Sequence, residues 1–264
     1  MPTITDLYSP TLFKGKHILV TGGRSGIGYA ISEAYLKLGA KVWIASRKEE
    51  PLRAAAAQLA KLGECRYSVL NIKKLDEVEA LANEIADEWG RLDILVNNAG
   101  GQFPSPAEDI AAKGWDAVIN NNLNGTWYMT QTFAKQFFIP QQQGNIVNII
   151  VMIYRGFPGM AHSAAARAGI DNFTKSLAVE WAPYNIRINA VAPGVIATSG
   201  LDQYPEALVE AAKGAIPFRR MGTPDEVAHT VLFFSSPLAS YTSGETLYVD
   251  GAMHLWGSMW QVPK

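Results

Sequence analysis

The sequence predicts one α/β domain, a parallel sheet wound on both sides with helices, from three observations. A glycine-rich turn, Thr21-Gly22-Gly23-Arg24-Ser25-Gly26-Ile27-Gly28, joins an apolar run to a helical one. Strand-like and amphipathic helical runs then alternate along almost the whole chain, as repeated strand–helix–strand units require. Finally, Val42-Trp43-Ile44-Ala45 and Ile146-Val147-Asn148-Ile149-Ile150 are near-continuous apolar runs, suited to strands covered on both faces.

The strands read in order are His17–Thr21, Lys41–Ser46, Cys65–Val69, Ile94–Asn97, Asn145–Ile150, Arg187–Val191 and Thr246–Val249. Between them the periodicity predicts helices near 26–38, 50–62, 75–89, 113–137, 163–182 and 224–235. Right-handed crossovers would place ligands at the carboxyl ends of the strands. The less regular stretch 198–221 follows a strand and is a candidate lid. A length of 264 residues with 48% hydrophobic content suits a single large domain over 1–264, without linker or repeat.

Charge narrows the function. With 23 basic and 24 acidic side chains, the chain carries no basic block to face a nucleic acid. No apolar run reaches the roughly 20 residues that span a bilayer, so no membrane role is expected. One cysteine, Cys65, excludes an internal disulfide and fits a reducing compartment. Met1–Pro10 lacks the layout of a signal peptide and Val262-Pro263-Lys264 is no peroxisomal address, so a cytoplasmic location is expected. No zinc-ligand cluster, nucleophile elbow or P-loop is present, and no metal is expected.

The glycine turn points to a dinucleotide. Gly22 permits the tight turn, Gly26 a close approach of the backbone to a pyrophosphate, and Gly28 close packing of helix on strand. Arg24, Ser25 and Ile27 belong to the same turn, and the diphosphate would sit at the helix N-terminus. The second strand ends in Ala45-Ser46-Arg47-Lys48, with no carboxylate before Glu49. An acidic residue there would bind a free ribose 2′-hydroxyl, whereas Arg47, with Ser46 and Arg24, fits the 2′-phosphate of NADP(H).

Asn97-Asn98-Ala99-Gly100 after the fourth strand, Asn122-Leu123-Asn124-Gly125-Thr126 on a long helix and Pro193-Gly194 after the sixth strand complete a pattern. Together with the glycine turn they resemble the short-chain dehydrogenase/reductase superfamily from about Lys14 to Gly251. The resemblance implies that Asn97, Asn98, Ala99 and Gly100 line the adenosine-to-ribose stretch and that Asn122 is an active-site asparagine. It implies that Pro193, Gly194, Ile196 and Thr198 hold the nicotinamide end, and Asn71 and Ile72 complete the candidate cofactor contacts. It further implies a homotetramer built partly through Val249-Asp250-Gly251.

The chain departs from the family at the residues that interconvert alcohols and ketones. The usual serine falls on Val151, the tyrosine on Ser163 and the lysine on Arg167. Serine is a poor proton shuttle near neutrality, guanidinium hardly releases a proton, and valine cannot polarise a carbonyl. Arg167 can still hold ribose hydroxyls and supply positive charge. That combination suits reduction of a carbon–carbon double bond conjugated to a thioester, where hydride addition leaves an enolate that needs hydrogen-bond donors.

Gly100-Gly101-Gln102-Phe103, Ser105-Pro106-Ala107-Glu108 and 162–169 look like the trans-2-enoyl-CoA reductases, and the 2,4-dienoyl-CoA reductases also lack the helix tyrosine. In the latter a tyrosine after the fifth strand supplies a hydroxyl, and Tyr154 stands near that place. The expected substrate is therefore an acyl-CoA, with Asn122, Tyr154 and Ser163 around the enolate and Arg167 on the nicotinamide ribose.

Two alternatives stay open: a ketoreductase using Tyr154 or His162 as donor, and an NADP-binding pseudoenzyme. Lys175 is expected to pair with Glu180 or face solvent, Arg219 and Arg220 to meet CoA phosphates or serve as scaffold, and Trp256 and Trp260 to cap an interface or the substrate mouth.

Overall fold

The computed structural model describes residues 3–204 and 206–255. A short helix α1 (Ile4–Leu7) precedes β1 (His17–Thr21), α2 (Gly26–Lys37), β2 (Lys41–Ser46), α3 (Glu49–Leu59), β3 (Cys65–Val69), α4 (Leu75–Trp89) and β4 (Ile94–Asn97). The second half runs through α5 (Ala112–Ile119), α6 (Gly125–Phe133), α7 (Ile139–Gln141), β5 (Gly144–Ile149), α8 (Ala161–Glu180), β6 (Ile186–Pro193), α9 (Glu206–Ala215), α10 (Pro224–Ser235) and β7 (Thr246–Val249).

The seven strands form one sheet in the order β3-β2-β1-β4-β5-β6-β7, and every neighbouring pair is parallel. The order reverses between β1 and β4, the crevice where such sheets bind ligands. Side-chain alternation divides the core. Ile18, Val20, Ile44 and Val96 pack with Ile31 and Tyr35 of α2 and Val231 of α10. Leu19, Trp43, Leu95 and Ile146 pack with Ile85 of α4, Met129 and Phe133 of α6 and Leu177 of α8 on the opposite face. Each such side chain, fully buried, contributes about 1.5–3 kcal/mol over remaining in water.

Two expectations change. The stretch 113–137 is not one regular helix: π-helical turns at Asn120–Asn124 and Ala134–Phe138 separate α5, α6 and α7. The segment 198–221 is not irregular throughout, because it contains α9 after a 3-10 turn at Ser199–Gln203.

Surface charges find local partners. Lys175 pairs with Asp171 on its own helix, not with Glu180. Arg220 forms two bonds to Glu226, at 3.0 and 2.6 Å. Glu226 also closes the capping box of α10 with Thr223, and the Arg220 guanidinium holds its carboxyl down to about 2. Arg219 donates to the Gly214 carbonyl at 2.9 Å. Both arginines therefore serve the scaffold. Trp256 and Trp260 lie outside the described residues. Among those described, no helix is long and apolar enough to cross a membrane.

Candidate active site

Strand ends at the order reversal build the site. Thr21 closes β1, and its hydroxyl accepts the backbone N–H groups of Asn98 and Ala99, each at 3.0 Å. The Asn98 carboxamide returns a bond to the Thr21 carbonyl at 2.9 Å. This clamp ties the loop after β4 to the glycine turn, where Gly22 adopts φ +70°. A Cβ on Gly28 would lie 2.5 Å from both Asn98 Nδ2 and the Gly22 carbonyl oxygen. Packing between turn, helix and strand is therefore as close as the motif predicts. Ser25, the residue before α2, adopts an extended conformation and makes no side-chain cap, so no hydroxyl occupies the helix N-terminus.

Beside the turn opens a cavity of about 640 Å³. Its wall includes Ile27, Asn98, Gly100, Val151, Arg167, Pro193, Gly194, Ile196 and Thr198, all singled out from the sequence. Thr198 reaches the glycine turn, its Cγ2 3.4 Å from where a Cβ on Gly26 would sit. The rest of the wall is mostly apolar: Met152, Phe157 and Met160 before α8, Leu201, Val209 and Ala212 from the lid, and Met253 near the end of the described chain.

Arg167 is the one charged side chain in this wall among the described residues. It is 7% exposed and donates Nη1 to the Ile149 carbonyl at 2.7 Å, while its buried Nε has no partner. Burial without a carboxylate pushes its pKa down to about 10. Gly100 leaves the space this guanidinium occupies, since a Cβ there would stand 2.1 Å from Nη2.

Several candidates sit elsewhere. Asn97 is buried in a chain of bonds, donating at 2.9 Å to both Thr130 of α6 and Asn148 of β5. Asn148 donates in turn to Thr174 of α8 at 2.9 Å. Strand alternation turns Asn97 toward the helices, so its side chain does not line the nucleotide cleft. Asn122 is fully buried in the first π-helical turn. Its Nδ2 donates to the Gly101 and Val118 carbonyls, both at 2.8 Å, and its Oδ1 accepts the Gly101 N–H at 3.2 Å. With its amide committed, Asn122 holds the loop beside Arg167.

Ile72 is buried beneath Gly125, and Asn71 receives the Lys73 N–H at 3.3 Å while its own N–H caps onto Glu77 at 2.8 Å. Ser46, at the end of β2, is half-buried. Arg24 and Arg47 are exposed at the edge of the turn, and neither has a hydrogen-bond or ion-pair partner among the described residues.

Tyr154 is 64% exposed, and its ring stands edge-on to Tyr248 and His254 at 6.3 and 5.5 Å. It does not line the cavity. His162 is fully buried against Phe103 and is likewise absent from the wall. Ser163 is also fully buried; its hydroxyl donates to Gln102 Oε1 in a short hydrogen bond. Gln102, in the cavity wall, donates its Nε2 to the Tyr204 hydroxyl of the lid at 3.3 Å. The sequence signal for Gln102 was its place in the Gly-Gly-Gln-Phe loop; nothing in spacing alone could join it to Ser163, 61 residues away, or to Tyr204.

A family model described as enoyl-(acyl carrier protein) reductase matches residues 22–254. The chain belongs to the short-chain dehydrogenase/reductase superfamily. It is 36% identical over 261 residues to a peroxisomal 2,4-dienoyl-CoA reductase (3E-enoyl-CoA-producing) of Pongo abelii, covering 97% of this chain and 89% of that protein. It is 38% identical over 243 residues to a 3-oxoacyl-acyl-carrier-protein reductase of Thermotoga maritima, covering 91% and 98%. A solved structure of a citronellol catabolism dehydrogenase from Pseudomonas aeruginosa superposes with a TM-score of 0.85 at 38% identity, covering 94% of this chain and 98% of that one. Membership of the superfamily makes the chain an oxidoreductase that uses a nicotinamide cofactor.

Proposed function

We propose that the protein reduces the carbon–carbon double bond of an α,β-unsaturated acyl-CoA, a 2-enoyl or 2,4-dienoyl thioester, with NADPH. One observation carries the reading: Val151 and Arg167, which by the sequence resemblance take the places of the serine and lysine of alcohol–ketone enzymes, both stand in the cavity wall. Ser163, in the place of their tyrosine, is turned onto Gln102.

The residues present fit the cofactor. An uncapped helix N-terminus, the guanidinium groups of Arg24 and Arg47, which make no bond among the described residues, and the unpartnered Nε of buried Arg167 suit an anionic or hydroxyl-rich ligand. Arg24 and Arg47, with Ser46, would hold the 2′-phosphate; Gly22 to Gly28 the diphosphate; Arg167, Pro193, Gly194, Ile196 and Thr198 the nicotinamide end. Bound there, the cofactor supplies a hydride. Ser163 occupies Gln102 Oε1 and so keeps Nε2 directed at the cavity, where it can donate to the thioester oxygen as negative charge develops. Arg167 adds fixed positive charge in a largely apolar cavity, where screening by water is weak. The apolar wall suits an acyl chain.

A second reading is reduction of a carbonyl, favoured by the Thermotoga maritima relative. Against it, Val151 brings no hydroxyl to polarise a carbonyl, and Tyr154 and His162 both lie outside the cavity wall. The test is product analysis after incubation with NADPH and, separately, 2-enoyl-, 2,4-dienoyl- and 3-oxoacyl-CoA. Saturation of a carbon–carbon bond is expected, with the 3-oxo group left intact. Tight NADPH binding with no turnover of any thioester would select a pseudoenzyme instead.

Cofactor choice is separately testable. Arg47→Asp should lower the preference for NADPH over NADH about ten- to hundredfold, because charge-assisted hydrogen bonds contribute about 1.5–3 kcal/mol. Equal kcat/KM for the two cofactors in the unmutated protein would contradict the assignment. A cytoplasmic homotetramer completes the reading. It is supported by exposed Phe218, Leu247 and Leu255 near the outer strand β7, which offer apolar surface for a subunit contact.

A further inference from the structure

Reduction of a double bond consumes a proton as well as a hydride, and the family's usual phenol is replaced by Ser163. The cavity wall itself narrows the donor. Among the described residues, its side chains with exchangeable protons are Asn98, Gln102, Arg167, Thr198 and Tyr204. Carboxamides and aliphatic alcohols release protons far too weakly to serve near neutrality. Asn98 is in any case bonded to the Thr21 carbonyl, and Thr198 accepts the Gly200 N–H at 3.3 Å. Loss of the proton from Arg167 would remove the one positive charge that the described residues bring to the wall, at the moment an enolate forms.

Tyr204 remains. It closes the 3-10 turn Ser199–Gln203 on the lid and is half-buried. Its oxygen accepts from Gln102 Nε2 at 3.3 Å, so its own hydrogen is not used in that bond and has no acceptor among the described residues.

We propose that Tyr204 is the proton donor of the reaction, delivering its hydroxyl proton from the lid to the α-carbon of the reduced thioester. Hydride addition at the β-carbon moves the π electrons of the double bond onto the thioester oxygen as an enolate. When the carbonyl re-forms, that electron pair returns to the α-carbon, a C–H bond forms there and the Tyr204 O–H bond breaks. The phenolate left behind accepts the Gln102 N–H and regains a proton from water. The identity of the accepting carbon rests on the unsaturated-thioester reading. The identity of the donor does not, since the alkoxide formed from a ketone would take the same proton.

Tyr204→Phe keeps the ring and deletes the proton. On an enoyl-CoA at saturating NADPH, kcat should fall by about a hundredfold or more, the usual contribution of a positioned acid. NADPH affinity, read by quenching of tryptophan fluorescence, should stay within about twofold, since no bond to the phosphates or ribose is altered. Two results would overturn the proposal: kcat within a few-fold of that of the unmutated protein, or a loss of activity explained by loss of NADPH affinity. If the unmutated protein turns over only a 3-oxoacyl thioester, the function fails while the same comparison on that substrate still tests Tyr204. A protein inert on both overturns the function and the donor together.

Discussion

Gly28→Ala is expected to abolish saturable NADPH binding and to lower the melting temperature by several degrees. The added Cβ would stand 2.5 Å from Asn98 Nδ2 and 2.5 Å from the Gly22 carbonyl oxygen. Neither neighbour can withdraw freely: Asn98 is held by Thr21, and Gly22 by a bond from its N–H to the Ala45 carbonyl at 2.7 Å. Overpacking of this kind costs about 1–3 kcal/mol, which for a chain of this size shifts the melting temperature by about 2–4 °C per kcal/mol. The larger effect is on function, because the turn must open where the diphosphate would rest. Isothermal titration with NADPH and a thermal melt check both. An unchanged Kd would show that the turn is not a phosphate cradle.

The second large effect separates Gln102 from Tyr154. Gln102→Leu removes the carboxamide facing the cavity and strips the buried Ser163 hydroxyl of its acceptor. The expected fall in kcat is about a hundred- to a thousandfold, typical for loss of one donor to a developing oxyanion. Tyr154→Phe, by contrast, should leave kcat within a few-fold. Its ring packs at the surface on Tyr248 and His254, and the substitution preserves that packing. Steady-state kinetics of both variants on one enoyl-CoA decide the matter. A large loss for Tyr154→Phe with a mild one for Gln102→Leu would return the donor to the loop after β5, where resemblance alone had placed it.

That reversal marks how far the residues could be read in order. The strands were legible because a strand buried on both faces reads as a short, near-continuous apolar run. His17–Thr21, Lys41–Ser46 and Ile94–Asn97 stand where the pattern put them. The glycine turn was legible because its chemistry is local. The π-helical turn at Asn120–Asn124 was not, since it widens where Asn122 bonds across to Gly101, a contact made only after β4 and the helix have packed. In helix α9, Val209 and Ala212 line the cavity, so its apolar face is turned to the site. The hydrogen bonds of Asn122 and Ser163 were hidden for a similar reason. Sequence position told which residues border the site, but not that both spend their polar groups on a neighbouring loop. The Ser163–Gln102–Tyr204 chain of bonds joins helix, loop and lid, and no periodicity reports on it.

Competition between substrates separates reduction of the double bond from reduction of the carbonyl. The protein is mixed with NADPH and equal concentrations of a 2-enoyl-CoA and a 3-oxoacyl-CoA of the same chain length, and both substrates are followed by mass spectrometry. The double bond should be saturated while the 3-oxo thioester persists, with a ratio of kcat/KM of at least about a hundred, equivalent to about 2.7 kcal/mol in transition-state free energy. Conversion of the 3-oxoacyl thioester to its hydroxy product, with the enoyl thioester unchanged, would contradict the account.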